Sequence, residues 1–196
     1  MIEFIRKNIN LDDIDYISGG ERRDWFFSNI IANKLNKPHI TIYKDLSIII
    51  NDSTFENEID KANVSGSKVL HIADLITEAS SYIRAWIPAI ESLGAKINWS
   101  TVVVDRMQGG KEKLEAENVK SLSIIQIDKN LFNNALNMNI INGTQYEMLK
   151  NFYEHPDETM RNFLISHPEF LSNALKSDEK TASRAKLCID NNLYNL

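Results

Sequence analysis

Residues 69–81 read Val-Leu-His-Ile-Ala-Asp-Leu-Ile-Thr-Glu-Ala-Ser-Ser: an apolar β-type run ends in an acid and breaks into a short turn with small hydroxyl residues. An amphipathic run follows over about 79–93, then Gly94, then a second β-rich stretch over 96–104. Strand, helix and strand at this spacing make a βαβ unit, whose crossover sets both strands parallel under a covering helix. Gly94 stands where a helix C′ residue belongs. Ile83, Trp86, Ile87, Ile90 and Leu93 form the predicted buried stripe of that helix. Pro88 predicts a kink inside it, because proline lacks the N–H and crowds the preceding turn. In open α/β sheets ligands sit beyond the carboxyl ends of strands, and anions sit on helix N-termini. Asp74 to Ser81 occupy that place.

The flanking chain extends the pattern. A short strand over 16–18 ends at Gly19-Gly20, and a helix is expected from Arg22 to Leu35 with Trp25, Phe26, Ile30 and Leu35 near one face. Pro38 introduces a strand over 39–43, and 46–50 is β-rich, so 39–50 is either a hairpin or two edge strands. Polar, acidic residues 51–67 read as a mobile loop or flap. A short helix over 111–118 and a strand over 121–127 follow. The expected fold class is α/β: a mostly parallel twisted sheet with helices on both faces, plus an all-helical C-terminal appendage. After about residue 128 only helical signals remain, and the domains are placed at 1–137 and 138–196. His155-Pro156 and His167-Pro168, each followed by acids, read as two helix starts rather than a metal pair. Ser177-Asp178-Glu179 opens a last helix over about 178–192.

A formal net charge of −5 argues against a nucleic-acid groove or a polybasic membrane contact, while leaving room for a small anionic ligand. Cys188 is the only cysteine, which excludes an intramolecular disulfide and a thiolate metal cluster; it reads as the apolar side of a helix. With no signal peptide and no apolar run of about 18 residues, a cytoplasmic protein is expected.

Asp74 can accept both hydroxyl protons of a ribose diol, and Thr77, Ser80 and Ser81 with their backbone N–H groups suit a phosphate. The same Asp-x-x-Thr is also an ordinary helix-capping pattern. Arg22 and Arg23 follow Gly19-Gly20 at a helix start, where they serve either an anion, with Glu21 and Asp24 orienting them, or a surface charge cluster. His71 reads as a core histidine with proton transfer as the alternative, and nothing marks His39 as functional.

The 69–81 segment resembles the ribose-phosphate signature of the type I phosphoribosyltransferases. Thr-Val-Val-Val-Asp-Arg-Met-Gln-Gly-Gly at 101–110 resembles the orotate group in particular: Asp105, Arg106, Gly109 and Gly110 match, with Gln108 for the usual Glu. The likeness covers about 16–128, including Ser18-Gly19-Gly20 at the family's pyrophosphate loop and Lys37-Pro38 to Tyr43-Lys44 leading into its flexible catalytic loop. It implies a ribose-phosphate ligand, either phosphoribosyl pyrophosphate or a nucleotide, held by Asp74, Thr77, Glu78, Ala79, Ser80 and Ser81. It further implies base contact by Arg106, Mg²⁺ if the protein is catalytic, catalysis resting on Lys44, Arg22 and Arg23, and a homodimer.

Several positions depart from the family. Ala73 replaces the first of two acids, Ala79 replaces a glycine, and Glu78 adds a carboxylate to the phosphate turn. At ~5 Å and an effective dielectric of ~20, such a like-charge pair costs about 3 kcal/mol. Asp45, Asp52, Glu56, Glu58 and Asp60 make the catalytic-loop region acidic, with only Lys44 and Lys61 flanking it. About fifteen residues precede Tyr16 where the orotate group carries a hood over the base, so the helical tail is expected to replace that hood or to form a dimer surface. Glu78 is a candidate to pair with one of the two arginines and close the site. Two functions follow: transfer of phosphoribose to a nucleobase, or a non-catalytic sensor or interaction protein on the same fold.

Overall fold

In the computed structural model, which describes residues 1–195, helix α1 (Ile2–Asn8) leads into strand β1 (Tyr16–Gly20) and helix α2 (Trp25–Leu35). Strands β2 (His39–Ile42), β3 (Ile48–Asn51) and β4 (Lys68–Ile76) follow. Helix α3 (Ile87–Glu91), strand β5 (Lys96–Asp105), helix α4 (Gly110–Ala116) and strand β6 (Lys120–Gln126) complete the α/β unit. Among the described residues six strands form one sheet, ordered β3-β2-β1-β4-β5-β6. The β2–β3 pair is an antiparallel hairpin, and every other neighbouring pair is parallel.

Both faces of the sheet are covered, which is why its strands read as nearly continuous apolar runs. Side chains alternate along a strand, so β4 sends Leu70 and Ile72 to one core and Val69 and Ala73 to the other. The first core includes Ile5, Ile17, Ile31, Ala32 and Leu35; the second includes Ile40, Ile50, Trp86, Ile90 and Val102. Helix α2 begins at Trp25 rather than Arg22 and docks through Ser28, Ile31, Ala32 and Leu35. That spacing corrects the expected face: Phe26 and Ile30, one turn apart, are 73% and 58% exposed.

The helix carrying Pro88 differs from expectation in an instructive way. Tyr82–Trp86 forms a π-helical turn that runs directly into α3, and Pro88, which has no N–H to donate, falls just after it. The wider turn shifts the stripe by one position. Tyr82 is buried in place of Ile83, which is 41% exposed, while Trp86, Ile87 and Ile90 stay buried. Residues 51–67, expected as a flap, hold a hydrogen-bonded turn. The Asp52 carboxylate accepts from Thr54 N and Oγ1, Glu56 N and Asn57 Nδ2, and Asn51 bridges to Glu58.

The chain forms two compact units, Met1–Asp128 and Lys129–Leu196, so helix α5 (Lys129–Asn137) groups with the tail, ahead of the expected boundary at 137. In the second unit α6 (Gly143–Glu154) starts with an Asn142–Gln145 capping box and α7 (Pro156–Ser166) starts at Pro156. Helix α8 (Glu169–Ala174) follows Pro168, and Asp178 caps α9 (Glu179–Asp190) by accepting from Lys180 N and Thr181 N. No helix of the described residues is long and apolar enough to cross a membrane.

Candidate ligand site at the carboxyl ends of β1 and β4

Strand β4 pairs with β1 only through His71, but with β5 as far as Ile76. Its last residues therefore run past the end of β1, and Asp74 stands inside the strand rather than at its tip. A cavity of about 340 Å³ opens there, lined by Ala73 to Tyr82, by Trp86, and by Glu21, Arg23 and Asp24 of the loop after β1.

Asp24 organises one wall. Its Oδ2 accepts from Gly20 N at 3.2 Å, and its Oδ1 accepts from Asp74 N at 3.0 Å. His71 Nε2 lies 3.8 Å from Oδ2 and has no hydrogen-bond partner, while Nδ1 is 2.8 Å from Ser18 Oγ. The expectation that Asp24 orients the arginines is therefore corrected: its carboxylate satisfies two backbone amides, Gly20 N ahead of it and Asp74 N across the strand ends, and does not cap α2. Behind this wall, His39 Nε2 is 2.9 Å from Ser28 Oγ and Nδ1 is 3.0 Å from Thr41 Oγ1. Burial, with a smaller effect from His71, lowers the His39 pKa to about 3.

Ser18, Gly19 and Gly20 lie in β1 and do not line the cavity. Their small size has a packing cause. A Cβ on Gly19 would stand 2.2 Å from Ser28 Oγ, and one on Gly20 would stand 2.3 Å from the Trp86 ring. The Glu21–Arg22 peptide bond is cis. Arg22 and Lys44 are exposed and outside the lining, and the Lys44 amide donates to Glu21 Oε2. Arg23 does line the cavity, with Nη1 3.7 Å from Asp74 Oδ2. Burial, reinforced by the Asp24 carboxylate, raises the Asp74 pKa above the usual carboxylate value.

The opposite wall is the turn Thr77–Ser81. Ala79 adopts φ 55°, the left-handed region that glycine enters most easily, so the turn keeps a glycine-like shape with an alanine in it. Ala79 O accepts from Ile83 N at 3.1 Å, which makes the amides of Ser80 and Ser81 first-turn groups without intrahelical acceptors. Glu78 pairs with Lys113 Nζ of α4 at 3.2 Å, not with Arg22 or Arg23, so the proposed closing pair does not form. Arg106 is half-buried outside the lining, its amide donating to Ile76 O.

The sequence reading places Trp86 in the buried stripe of its helix but not at the cavity, and it misses the Lys113 contact and the bridging role of Asp24. Only Asp24 left a local trace, as an acid just ahead of a helix.

An α/β sheet of this order with a cavity at the carboxyl ends of its parallel strands is a small-ligand-binding architecture. No family model matches the chain. The orotate phosphoribosyltransferase of Sulfurisphaera tokodaii is 30% identical over 146 residues, spanning 74% of this chain and 70% of that protein. The protein of the same name from Sulfolobus acidocaldarius is 28% identical over 149 residues, or 76% and 70% of the two chains. An adenine phosphoribosyltransferase of Symbiobacterium thermophilum is 32% identical over 120 residues, covering 56% of this chain and 70% of that one. Among solved structures, the UMP synthase of Leishmania donovani superposes with a TM-score of 0.61 at 20% identity, over 78% of this chain and 31% of that one. The Francisella tularensis orotate phosphoribosyltransferase gives 0.57 at 15% identity, over 78% and 74% of the two chains. The chain belongs to the type I phosphoribosyltransferase family.

Proposed function

We propose that the cavity binds the ribose 5-phosphate part of phosphoribosyl pyrophosphate or of a nucleotide. The observation that supports this most is the pairing of Asp74 with a left-handed turn at Ala79 across one small cavity. Asp74, as a carboxylate, accepts from the ribose hydroxyls. The first-turn amides near Ser80 and Ser81, with the hydroxyls of Thr77, Ser80 and Ser81, receive the phosphate. Arg23 is the only Lys or Arg in the lining among the described residues, so it is the cation available to a pyrophosphate group. Mg²⁺ keeps most of its waters and is held largely by substrate phosphates, so it enters with the pyrophosphate of the substrate.

If transfer occurs, as the names of the relatives suggest, the base enters beside Arg23 and Asp74, and Arg106 must turn inward to meet it. Catalysis then consists of holding the ribose and neutralising the departing pyrophosphate as charge develops. Titration calorimetry of phosphoribosyl pyrophosphate, with and without Mg²⁺, tests the reading. Micromolar, Mg²⁺-dependent binding that Asp74→Asn weakens at least about tenfold is the expected result, the worth of a hydrogen bond to a charged group. Affinity should also fall as the pH drops through the raised Asp74 pKa, since the protonated acid no longer accepts from both hydroxyls. No heat at millimolar ligand overturns the reading.

A second reading has its own support. The segment where the family has a basic catalytic loop is here an acidic hairpin tied by Asp52, which would repel pyrophosphate. The helical unit also holds an apolar groove of about 900 Å³ lined by Met148, Phe152, Met160 and Phe163. A sensor or interaction protein that binds a nucleotide without turning it over fits both features.

A further inference from the structure

Resting on the ribose-phosphate reading of this cavity, the geometry points to Lys113 as the side chain that receives the ligand's phosphate, with Glu78 as its partner while the phosphate is absent. Lys113 lies 35 positions along the chain from Glu78, yet its Nζ stands 3.2 Å from Glu78 Oε2. Three contacts hold that approach. Gly110, at the start of α4, packs so closely that a Cβ would lie 2.6 Å from Thr77 O of the phosphate turn. Arg106 N donates to Ile76 O at 3.0 Å, and Asp105 Oδ1 accepts from Met107 N at 2.7 Å, which fixes the connection from β5 to α4.

Both side chains of the pair are more than half exposed, so each can rotate without unpacking the core. Glu78 itself lines the cavity. A phosphate seated on the turn amides therefore meets a carboxylate that must move or be displaced. A phosphate near pH 7 carries close to two charges and three acceptor oxygens, so it competes well for the ammonium. Once released, Glu78 turns to solvent. The exchange gives the site a selectivity that a plain phosphate turn lacks. A ligand without a phosphate cannot claim Lys113, and a weakly charged anion is held off by Glu78.

Calorimetry with ribose 5-phosphate, and with ribose as the unphosphorylated control, tests the exchange in Glu78→Gln, Lys113→Ala, the double variant and Asp74→Asn. Glu78→Gln is expected to bind ribose 5-phosphate about tenfold more tightly, from relief of like-charge repulsion. Adding Lys113→Ala to Glu78→Gln should weaken it about tenfold, the worth of one charge-assisted hydrogen bond, while Lys113→Arg retains binding. Ribose binding should not respond to either position. Equal affinity of Glu78→Gln with and without Lys113→Ala overturns the assignment. If ribose 5-phosphate then still binds and is lost in Asp74→Asn, the site reading stands and only the role of Lys113 falls. If ribose 5-phosphate binds neither the native protein nor Glu78→Gln, the site reading falls and takes the exchange with it.

Discussion

Small residues mark the ends of two neighbouring strands, β1 behind the cavity and β4 at its lining, but for different physical reasons. Gly19 and Gly20 are small because Ser28 and the Trp86 ring occupy the space a side chain would need. Behind them stand Ser18, His71, Ser28 and His39, all buried and hydrogen-bonded in two pairs, Ser18 with His71 and Ser28 with His39. The turn Thr77–Ser81 is small because its backbone must take a left-handed step at Ala79, and Glu78, Ser80 and Ser81 are open to solvent. The β1 end serves packing, the turn after β4 serves shape. A glycine-rich or hydroxyl-rich signal at a strand end is therefore not by itself a ligand signal, and the two strand ends should respond differently to substitution.

The largest expected difference lies at low pH. His39 is neutral in the folded protein, its pKa lowered by burial to about 3, and it has an ordinary value when unfolded. Its contribution is present above about pH 6.5 and lost as the pH falls toward 3, at up to about 1.4 kcal/mol per pH unit. Urea unfolding of the native protein and His39→Gln between pH 7 and pH 4 measures this. The native protein should show the steeper loss, and equal slopes would remove His39 from the acid response.

Gly20→Ala comes next. Its Cβ would meet Trp86, and overpacking of this kind costs about 1–3 kcal/mol, read as a lower unfolding midpoint with an unchanged denaturant slope. A neutral result would mean that Gly20 is free to serve a ligand instead.

Ala79→Gly should be the smallest effect on stability. Release of the left-handed strain, about 1 kcal/mol, opposes the loss of a buried methyl worth about 0.8 kcal/mol. Thermal unfolding should move little, while ribose 5-phosphate affinity rises or holds. A large loss of stability would place Ala79 with the β1 end and erase the contrast.

How much of this was legible in the sequence follows from the range of each interaction. The strand–turn–helix–strand unit, the helix starts at Pro156 and Pro168 and the cap at Asp178 arise from residues within a few positions of one another. Local propensity and spacing encode them directly. The resemblance at 69–81 and 101–110 points to the family that the relatives bear out. Phe26 and Ile83 were misplaced because helical spacing identifies an apolar stripe, not which stripe faces the sheet or where a π-helical turn shifts it.

The site was less legible than the fold. That Asp74 lines the cavity and that Arg23 turns toward it follow from where β1 ends beside β4, a matter of register between strands 50 residues apart in the chain. By itself the sequence determined the order of elements, the parallel sheet and the family, because these rest on short-range pattern and recurring motifs. Only the tertiary structure decided that Asp24 bridges Gly20 to Asp74, that Trp86 fills the space beside Gly20, and that Lys113 rather than Arg22 or Arg23 meets Glu78. Those pairings depend on how the strand ends and helices pack in space, and no spacing along the chain records a contact made across it.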